Sequence, residues 1–241
     1  MKALVVFFIL AFTSLSEALT PLRVAFSLDK PPYVIRDTES GLEVEILRRV
    51  FLDMGYEMTP IFQPPARSVR SLELGRVDAM ATITNMPNFH LSDPYITFKN
   101  FAWTMKERKI QLKTLSDLSK YRVIAFQNAR HFIGADFDSA VAKNKNYEEY
   151  ADQKRQIKML LSDRVDVIIC EERTLKIVQK NLEEMSAKQK LPDIEKHPLF
   201  GESHYSVAFR SVKLRNSFNE SLNKLESKGS LQEIYKKYIT E

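Results

Sequence analysis

The feature that most constrains the fold is a helix–turn–strand unit that occurs twice in the chain. The first copy is residues 72–79, Leu-Glu-Leu-Gly-Arg-Val-Asp-Ala, and the second is residues 160–167, Leu-Leu-Ser-Asp-Arg-Val-Asp-Val. In each copy, a segment with apolar residues at helical spacing passes through a polar turn into an apolar strand. One unit used twice predicts two lobes with similar interiors, each made of alternating helices and strands.

The strands that belong to these units are almost continuously apolar. Residues 79–83 read Ala-Met-Ala-Thr-Ile, and residues 165–170 read Val-Asp-Val-Ile-Ile-Cys. Such strands, between amphipathic helices, are typical of parallel sheets that are covered on both faces. Ligands of open α/β sheets bind beyond the carboxyl ends of the strands, so two facing lobes predict a small-molecule site between them.

The N-terminus has the three parts of a secretory signal peptide. Lys2 supplies a positive charge, and residues 3–12 are apolar without interruption. Ser16 and Ala18 are small residues at the −3 and −1 positions that signal peptidase recognises. An apolar run of this length is too short to span ~30 Å of hydrocarbon as a helix. We therefore expect residues 1–18 to be a signal peptide that is removed on export, which places the mature protein in the periplasm.

Composition and missing motifs exclude several chemistries. The net charge is only +5, with both signs interspersed, so we expect no nucleic-acid partner. The single cysteine, Cys170, excludes an internal disulfide and cysteine-rich metal sites, and the four histidines lack metal-ligand spacing. Neither a glycine-rich phosphate loop nor a nucleophile elbow is present. We therefore expect no catalytic residue, no cofactor and no metal.

Five short motifs follow one another through the chain. They are 31–33 (Pro-Pro-Tyr), 41–46 (Gly-Leu-Glu-Val-Glu-Ile), 75–79 (Gly-Arg-Val-Asp-Ala), 91–95 (Leu-Ser-Asp-Pro-Tyr) and 229–238 (Gly-Ser-Leu-Gln-Glu-Ile-Tyr-Lys-Lys-Tyr). In this order they resemble the extracellular solute-binding proteins of family 3, the polar-amino-acid type of ABC-transporter substrate-binding protein. Each motif is weak alone, but together they span essentially the whole mature chain.

The resemblance implies an α/β, two-lobe type II periplasmic-binding-protein fold. Each lobe would be a mostly parallel sheet flanked by helices, with the ligand cleft between the lobes. Lobe 1 would comprise residues 19–103 and 202–241, and lobe 2 would comprise residues 104–201. The chain would cross between the lobes at 98–106 and at 198–206. The lobes of such a protein close around a bound ligand.

The resemblance also assigns roles at a few positions. Glu171 occupies the place of the acidic residue that typically holds a ligand's ammonium group. The loop after the first strand of lobe 2, residues 127–131, would bind the ligand's carboxylate end. In lobe 1 the binding loop would be residues 82–85. The candidate contacts from these two loops are Gln127, Arg130, Thr84 and Asn85.

Several of these roles have structural alternatives. Glu171 is either a ligand contact or the partner of Arg173 in a structural ion pair. Tyr33, after two prolines, either packs at the hinge or forms a wall on which a ligand stacks. The adjacent glutamates at 148–149 and 171–172 point in different directions from a helix or strand, so we expect solvated faces rather than catalytic pairs.

The chain departs from the family in one respect. Members that bind α-amino acids usually carry an arginine shortly after the lobe 1 loop, whereas residues 86–92, Met-Pro-Asn-Phe-His-Leu-Ser, contain none. A bidentate carboxylate donor is hard to replace except by another arginine. Arg67, at the start of a lobe 1 helix, and Arg130, in the lobe 2 loop, are the two candidates. Otherwise, the ligand is not an amino acid.

The expected function is non-enzymatic capture of a small polar, amino-acid-like solute. The protein, a monomer, would deliver this solute to an inner-membrane ABC-transporter permease. Two other functions stay open. A periplasmic enzyme on the same fold, similar to the cyclohexadienyl dehydratases, would use Glu171 as an acid or base. A soluble sensor would present its ligand to a membrane receptor.

Overall fold

The computed structural model describes residues 18–185 and 190–238, so the predicted signal peptide lies outside the described residues except for Ala18. In chain order the elements are β1 (Thr20–Phe26), α1 (Leu42–Asp53), β2 (Tyr56–Phe62), α2 (Pro65–Glu73), β3 (Ala79–Ile83), β4 (His90–Leu91), β5 (Ile96–Met105), β6 (Val123–Phe126), α3 (Ala129–Ile133), α4 (Ala135–Val141), β7 (Tyr147–Tyr150), α5 (Gln153–Leu161), β8 (Val167–Glu171), α6 (Glu172–Met185), β9 (Ile194–His197), β10 (Glu202–Phe209), α7 (Val212–Ser227) and α8 (Gln232–Tyr238). Among the described residues, no helix has the length and apolar character needed to cross a membrane.

The strands follow one path of hydrogen bonding, in the order β2-β1-β3-β10-β5-β8-β6-β7. At one end β1 is parallel to β2 and β3, and at the other end β6 is parallel to β7 and β8. The antiparallel strands β10 and β5 join these two parallel groups in the middle. The arrangement confirms the predicted class, an α/β fold with two mostly parallel halves.

Strand β5 belongs to both halves. Its residues 96–99 pair with β10, and its residues 100–105 pair with β8 and β9. Strand β10 continues from this pairing into the first half, where it pairs with β3. Two long strands that pass between the halves are connections of the kind that act as hinges. On this basis we propose that lobe 1 comprises residues 19–103 and 202–241 and that lobe 2 comprises residues 104–201.

The repeated unit makes the same contact in both halves. The Asp78 carboxylate accepts a hydrogen bond from the backbone N–H of Arg23 in β1, at 2.8 Å. The Asp166 carboxylate accepts one from the backbone N–H of Arg122, directly before β6, at 2.9 Å. Each aspartate therefore ties its turn to the neighbouring parallel strand, and the similarity seen in the sequence is also a similarity of structure.

Asp166 provides a stability test of this contact. It also accepts hydrogen bonds from the guanidinium groups of Arg122 and Arg108, and the bond from Arg122 is the main reason that its pKa falls to about 2. Because the pKa is about 3.9 in the unfolded chain, the carboxylate stabilises the fold above pH 4, and this contribution is lost as the pH falls toward 2. We expect Asp166→Asn to lower the free energy of unfolding by about 2 kcal/mol at pH 7. Urea unfolding at pH 7 and at pH 2.5 measures the difference.

Asp163→Asn is the matched control, because Asp163 lies in the same turn with more than half of its side chain exposed. We expect this control to change the stability by less than about 0.5 kcal/mol. At pH 2.5 the penalty of Asp166→Asn should fall to less than half of its value at pH 7. An equal penalty at both pH values would mean that the ionised carboxylate is not the source of the stability.

Candidate functional site

Polar residues lie at or just beyond the carboxyl ends of strands in both halves. These residues are Thr84 and Asn85 after β3, Gln127 after β6 and Glu171 at the end of β8. The start of α6, directly after β8, also contacts the loop after β1, because Arg173 Nη1 donates to the Tyr33 hydroxyl oxygen at 3.3 Å. The two halves therefore meet beside the strand ends where an α/β fold places its ligand.

The loop after β1 is fixed against the start of α1. The backbone N–H of Leu42 donates to the carbonyl of Pro32 at 2.9 Å, and that of Glu43 donates to the carbonyl of Tyr33 at 3.0 Å. Gly41 permits this contact, because its φ is +119° and any Cβ at this position would overlap the Tyr33 carbonyl. Tyr33 and Glu43 are consequently held next to each other.

Glu43 is fully buried on the apolar face of α1. Its Oε2 accepts hydrogen bonds from the Tyr95 hydroxyl at 2.7 Å and from the Thr82 hydroxyl. Its Oε1 has no hydrogen-bond partner within residues 18–185 and 190–238. Thr82 holds a left-handed backbone with φ of 62°, a strain of about 1–3 kcal/mol that is common at functional sites. Burial, followed by the charge of Glu43, raises the pKa of Tyr95 well above its usual value, which keeps this hydroxyl a donor.

Three aromatic rings surround the ammonium group of Lys30. The distance from Nζ to the ring centroid is 3.6 Å for Phe98, 5.4 Å for Tyr33 and 5.9 Å for Tyr205. The rings also pack on one another, with centroids 4.4 Å apart for Tyr33 and Phe98 and 4.7 Å apart for Phe98 and Tyr205. We call the rings of Tyr33, Phe98 and Tyr205 the aromatic cage. A cation over such faces is stabilised by about 0.5–2 kcal/mol.

Two buried carboxylates act on this lysine without touching it. Burial lowers the pKa of Lys30, whereas the negative charges of Glu43 and then of Glu171 act in the opposite direction. In the described part of the chain, Nζ forms neither an ion pair within 4.0 Å nor a hydrogen bond. The aromatic cage therefore sets the position of the ammonium group, and the carboxylates compensate its charge from a greater distance.

Glu171 is buried, with 4% of its surface exposed. Its Oε2 accepts a hydrogen bond from the backbone N–H of Thr174 at 2.9 Å. Its Oε1 has no hydrogen-bond partner among the residues described, and it lies 4.0 Å from Arg173 Nη1. Arg173 directs its own hydrogen bonds to Tyr33 and to the carbonyl of Thr97. The ion pair with Arg173, which the sequence left open as an alternative role for Glu171, is therefore present, but it is long, and Oε1 accepts no hydrogen bond from the described residues.

The backbone amides of the loop after β6 are occupied by a side chain of the protein. The Glu149 carboxylate accepts hydrogen bonds from the backbone N–H of Asn128 at 2.7 Å and from that of Arg130 at 3.0 Å. Tyr147 donates to the same carboxylate at 2.8 Å. The Arg130 guanidinium pairs with Asp138. A ligand carboxylate could use these amides only after displacing Glu149.

The other predicted site residues are exposed. Thr84, Asn85 and Gln127 lie on the surface beyond their strands. Arg67 is exposed in the first turn of α2, and its guanidinium forms no hydrogen bond or ion pair with any described residue. Tyr33, by contrast, is fully buried in the aromatic cage. The structure thus buries Tyr33 and Glu171, whereas the other predicted site residues are exposed.

The expectation of solvated faces at 148–149 and 171–172 is wrong for one residue of each pair. Glu171 is buried, and Glu149 caps two amides, whereas Glu148 is exposed. Alternate residues of a strand point to opposite faces, and this separates Glu149 from Glu148 in β7. Sequence reasoning also missed Glu43, although a signal was present: it lies three and four residues before the apolar Ile46 and Leu47, on the buried face of α1.

Cys170 is fully buried, and burial raises the pKa of its thiol, which disfavours the reactive thiolate. The residues described contain no cluster of three or more His, Cys, Asp or Glu side chains that could hold a metal ion.

Comparisons with known proteins show a fold that is widespread. The ligand-binding core of GluR0 in complex with L-glutamate has a TM-score of 0.72 at 13% identity, covering 92% of this chain and 100% of that chain. A histidine kinase sensor domain with similarity to periplasmic binding proteins also has a TM-score of 0.72, at 16% identity, covering 92% and 97%. The amino acid ABC transporter substrate-binding protein AbpA from Streptococcus pneumoniae, bound to L-arginine, has a TM-score of 0.67 at 20% identity, covering 90% and 94%.

No curated protein sequence matches the chain. At these identities, the structural likenesses establish the type II periplasmic-binding-protein fold and nothing finer. The sequence itself carries the assignment. Residues 22–241 match the profile of the bacterial extracellular solute-binding proteins, family 3, and the chain belongs to that family.

Proposed function

We propose that the protein captures a small polar, amino-acid-like solute between its two lobes without chemical conversion. The observation that carries this proposal is Oε1 of Glu171, a buried carboxylate oxygen that has a long ion pair with Arg173 but no hydrogen-bond partner in the described part of the chain. Buried polar atoms are rarely left without a partner. A ligand ammonium group placed between the lobes would supply the missing donor.

We propose that the carboxylate end of the ligand binds Arg67. Of the two candidate arginines, Arg130 is paired with Asp138, and the amides beside it are paired with Glu149. The Arg67 guanidinium has no partner within the described ranges, and it lies in the first turn of α2, where the helix dipole also favours an anion. A ligand with an ammonium group at Glu171 and a carboxylate at Arg67 is a zwitterion.

The similar structures support an amino-acid ligand, since one is in complex with L-glutamate and another is bound to L-arginine. Because AbpA is an amino acid ABC transporter substrate-binding protein, we propose a carrier that delivers its solute to an inner-membrane ABC-transporter permease. From the predicted signal peptide, we propose that this carrier, a monomer, lies in the periplasm. The likeness to a histidine kinase sensor domain favours a second role, presentation of the ligand to a membrane receptor. Pull-down of membrane proteins with and without the ligand distinguishes a permease from a receptor.

A thermal-shift screen of neutral, acidic and cationic L-amino acids, polyamines and small organic acids tests the binding function. A ligand that binds only the folded state stabilises it by about 2.7 kcal/mol at a hundredfold excess over Kd. We expect at least one zwitterion to raise Tm by about 5–10 °C. If the whole panel leaves Tm unchanged, or if the protein converts a cyclohexadienyl acid to product, the proposal is wrong.

The arginine assignment gives a second prediction. Arg67→Ala should weaken binding of the solute found in the screen by about 10- to 100-fold, because a charged hydrogen bond of about 1.5–3 kcal/mol is lost. Arg130→Ala should change affinity by less than about threefold. Isothermal titration calorimetry measures both. Arg70→Ala, on the same helix as Arg67, is the matched control. A larger loss for Arg130→Ala than for Arg67→Ala would place the ligand carboxylate in lobe 2.

A further inference from the structure

We propose that the interior between the lobes contains an ammonium-binding subsite that Lys30 of the chain itself occupies. The unsubstituted protein therefore does not bind a cationic ligand group at this position. The inference rests on the proposed function only for the location of the ligand. The subsite is defined independently of any ligand, by the aromatic cage and by the two buried carboxylates near it. Lys30 therefore acts as a tethered cation that limits which ligands the lobes can enclose.

The geometry is that of ammonium recognition rather than of an ordinary ion pair. A lysine that serves only as a counter-ion contacts its carboxylate, as Lys224 does with Asp53 at 2.7 Å and Lys99 does with Glu202 at 2.6 Å. Lys30 instead places Nζ 3.6 Å from the ring centroid of Phe98. Proteins recognise ammonium ligands by placing several aromatic rings around the cation.

The charges of the interior explain why binding of a second cationic group is unfavourable. Lys30 and Arg173 balance Glu43 and Glu171, the two acidic side chains of this interior that are almost fully buried. Each of these carboxylates keeps one oxygen without a hydrogen bond in the described residues. When a zwitterionic ligand places its ammonium group at Glu171, the ligand's own carboxylate balances that added positive charge. A ligand with an additional cationic side chain would add an unmatched charge to an enclosed space, which is costly.

Chemical rescue tests the subsite without knowledge of the natural ligand. Lys30→Ala removes Cγ, Cδ, Cε and Nζ, which are the heavy atoms of n-propylammonium. We expect ~100 mM n-propylammonium chloride to raise the Tm of Lys30→Ala by about 3 °C over equal potassium chloride, in a saturable manner. Neither n-propanol with this variant nor n-propylammonium with the unsubstituted protein should do so.

Two variants serve as controls. Lys30→Met fills the same space without a charge, so it should not respond to n-propylammonium. Lys99→Ala removes a half-exposed lysine of β5 that lies outside the aromatic cage, and it should not respond either. If Lys30→Ala responds no more than these controls, or if the unsubstituted protein responds equally, the subsite does not exist. Rescue without any response to the amino-acid panel would leave the subsite intact and overturn the proposed function alone.

A second measurement covers the case in which Lys30→Ala does not fold. In the unsubstituted protein, the ring current of Phe98 should shift the ε-methylene protons of Lys30 upfield from those of the other lysines in an NMR spectrum. Phe98→Leu should move this resonance back toward the bulk position. An ε-methylene signal at the bulk position in the unsubstituted protein would show that the ammonium group is not held in the aromatic cage.

Discussion

Replacing Glu171 by glutamine is expected to weaken binding of the captured solute by about 100- to 1,000-fold. Glutamine keeps the size of the side chain, and its carbonyl can still accept the hydrogen bond from the Thr174 N–H, so the change removes mainly the charge. Inside closed lobes, the ligand ammonium would lose its counter-charge. Removing one member of a buried ion pair costs about 3–5 kcal/mol. Isothermal titration calorimetry with the solute found in the screen measures the loss.

Glu172→Gln is the matched control for this prediction. Glu172 follows Glu171 directly, but its carboxylate pairs with Lys196 at 3.1 Å on the outside of the protein, and its loss should alter affinity by less than about twofold. Thermal unfolding of the ligand-free variants confirms that both are folded. Affinity of Glu171→Gln within threefold of the unsubstituted protein would remove Glu171 from the site.

The same variant separates a carrier from an enzyme. If Glu171 were an acid or base in a dehydration, Glu171→Gln would still bind substrate but would lose turnover, because a carboxamide is neither an acid nor a base near neutral pH. In a carrier, the loss is in affinity and no product forms with either protein. Product analysis by mass spectrometry, run beside the calorimetry, distinguishes these two results.

The fold could be predicted because its determinants are local. The apolar spacing in residues 42–53 specifies α1, and the repeated Arg-Val-Asp turn specifies two equivalent helix-to-strand junctions. Asp78 and Asp166 then make the same backbone contact in the two halves. Such features depend on neighbours within a few residues, so a single sequence contains them. That the chain passes twice between the halves was expected from the resemblance alone, and the antiparallel pairing of β5 with β10 was not predicted.

The interior of the site could not be predicted to the same extent because it depends on distant pairs. Lys30 meets Phe98 only after β5 and the loop after β1 are brought together, and nothing beside Lys30 in the sequence indicates an aromatic cage. Glu149 reaches the amides of Asn128 and Arg130 because the register of β6 and β7 places Ala125 opposite Glu149. Register and side-chain direction are tertiary properties, and no local pattern encodes them.

Glu43 is expected to be among the most sensitive positions for stability. Glu43→Gln keeps an oxygen for the hydroxyl donors Tyr95 and Thr82, but it removes the carboxylate charge with the larger effect on the Lys30 pKa. The ammonium group of Lys30, a partly buried residue, would then lose much of its compensation, which we expect to cost about 3 kcal/mol of unfolding free energy. Glu45→Gln, on the same helix but partly exposed and paired with Lys237, should cost less than about 1 kcal/mol.

A double-mutant cycle distinguishes a loss of charge balance from a loss of packing. If the cost of Glu43→Gln arises from the uncompensated ammonium of Lys30, removing that ammonium as well should restore much of the stability. The variant with both Lys30→Met and Glu43→Gln should therefore be more stable than the two single changes predict, by about 2 kcal/mol in urea unfolding. Strict additivity would show that the two residues do not compensate each other. The aromatic cage would then hold Lys30 without help from Glu43. The charge balance that disfavours a second cation would have to come from Glu171 and Arg173 alone.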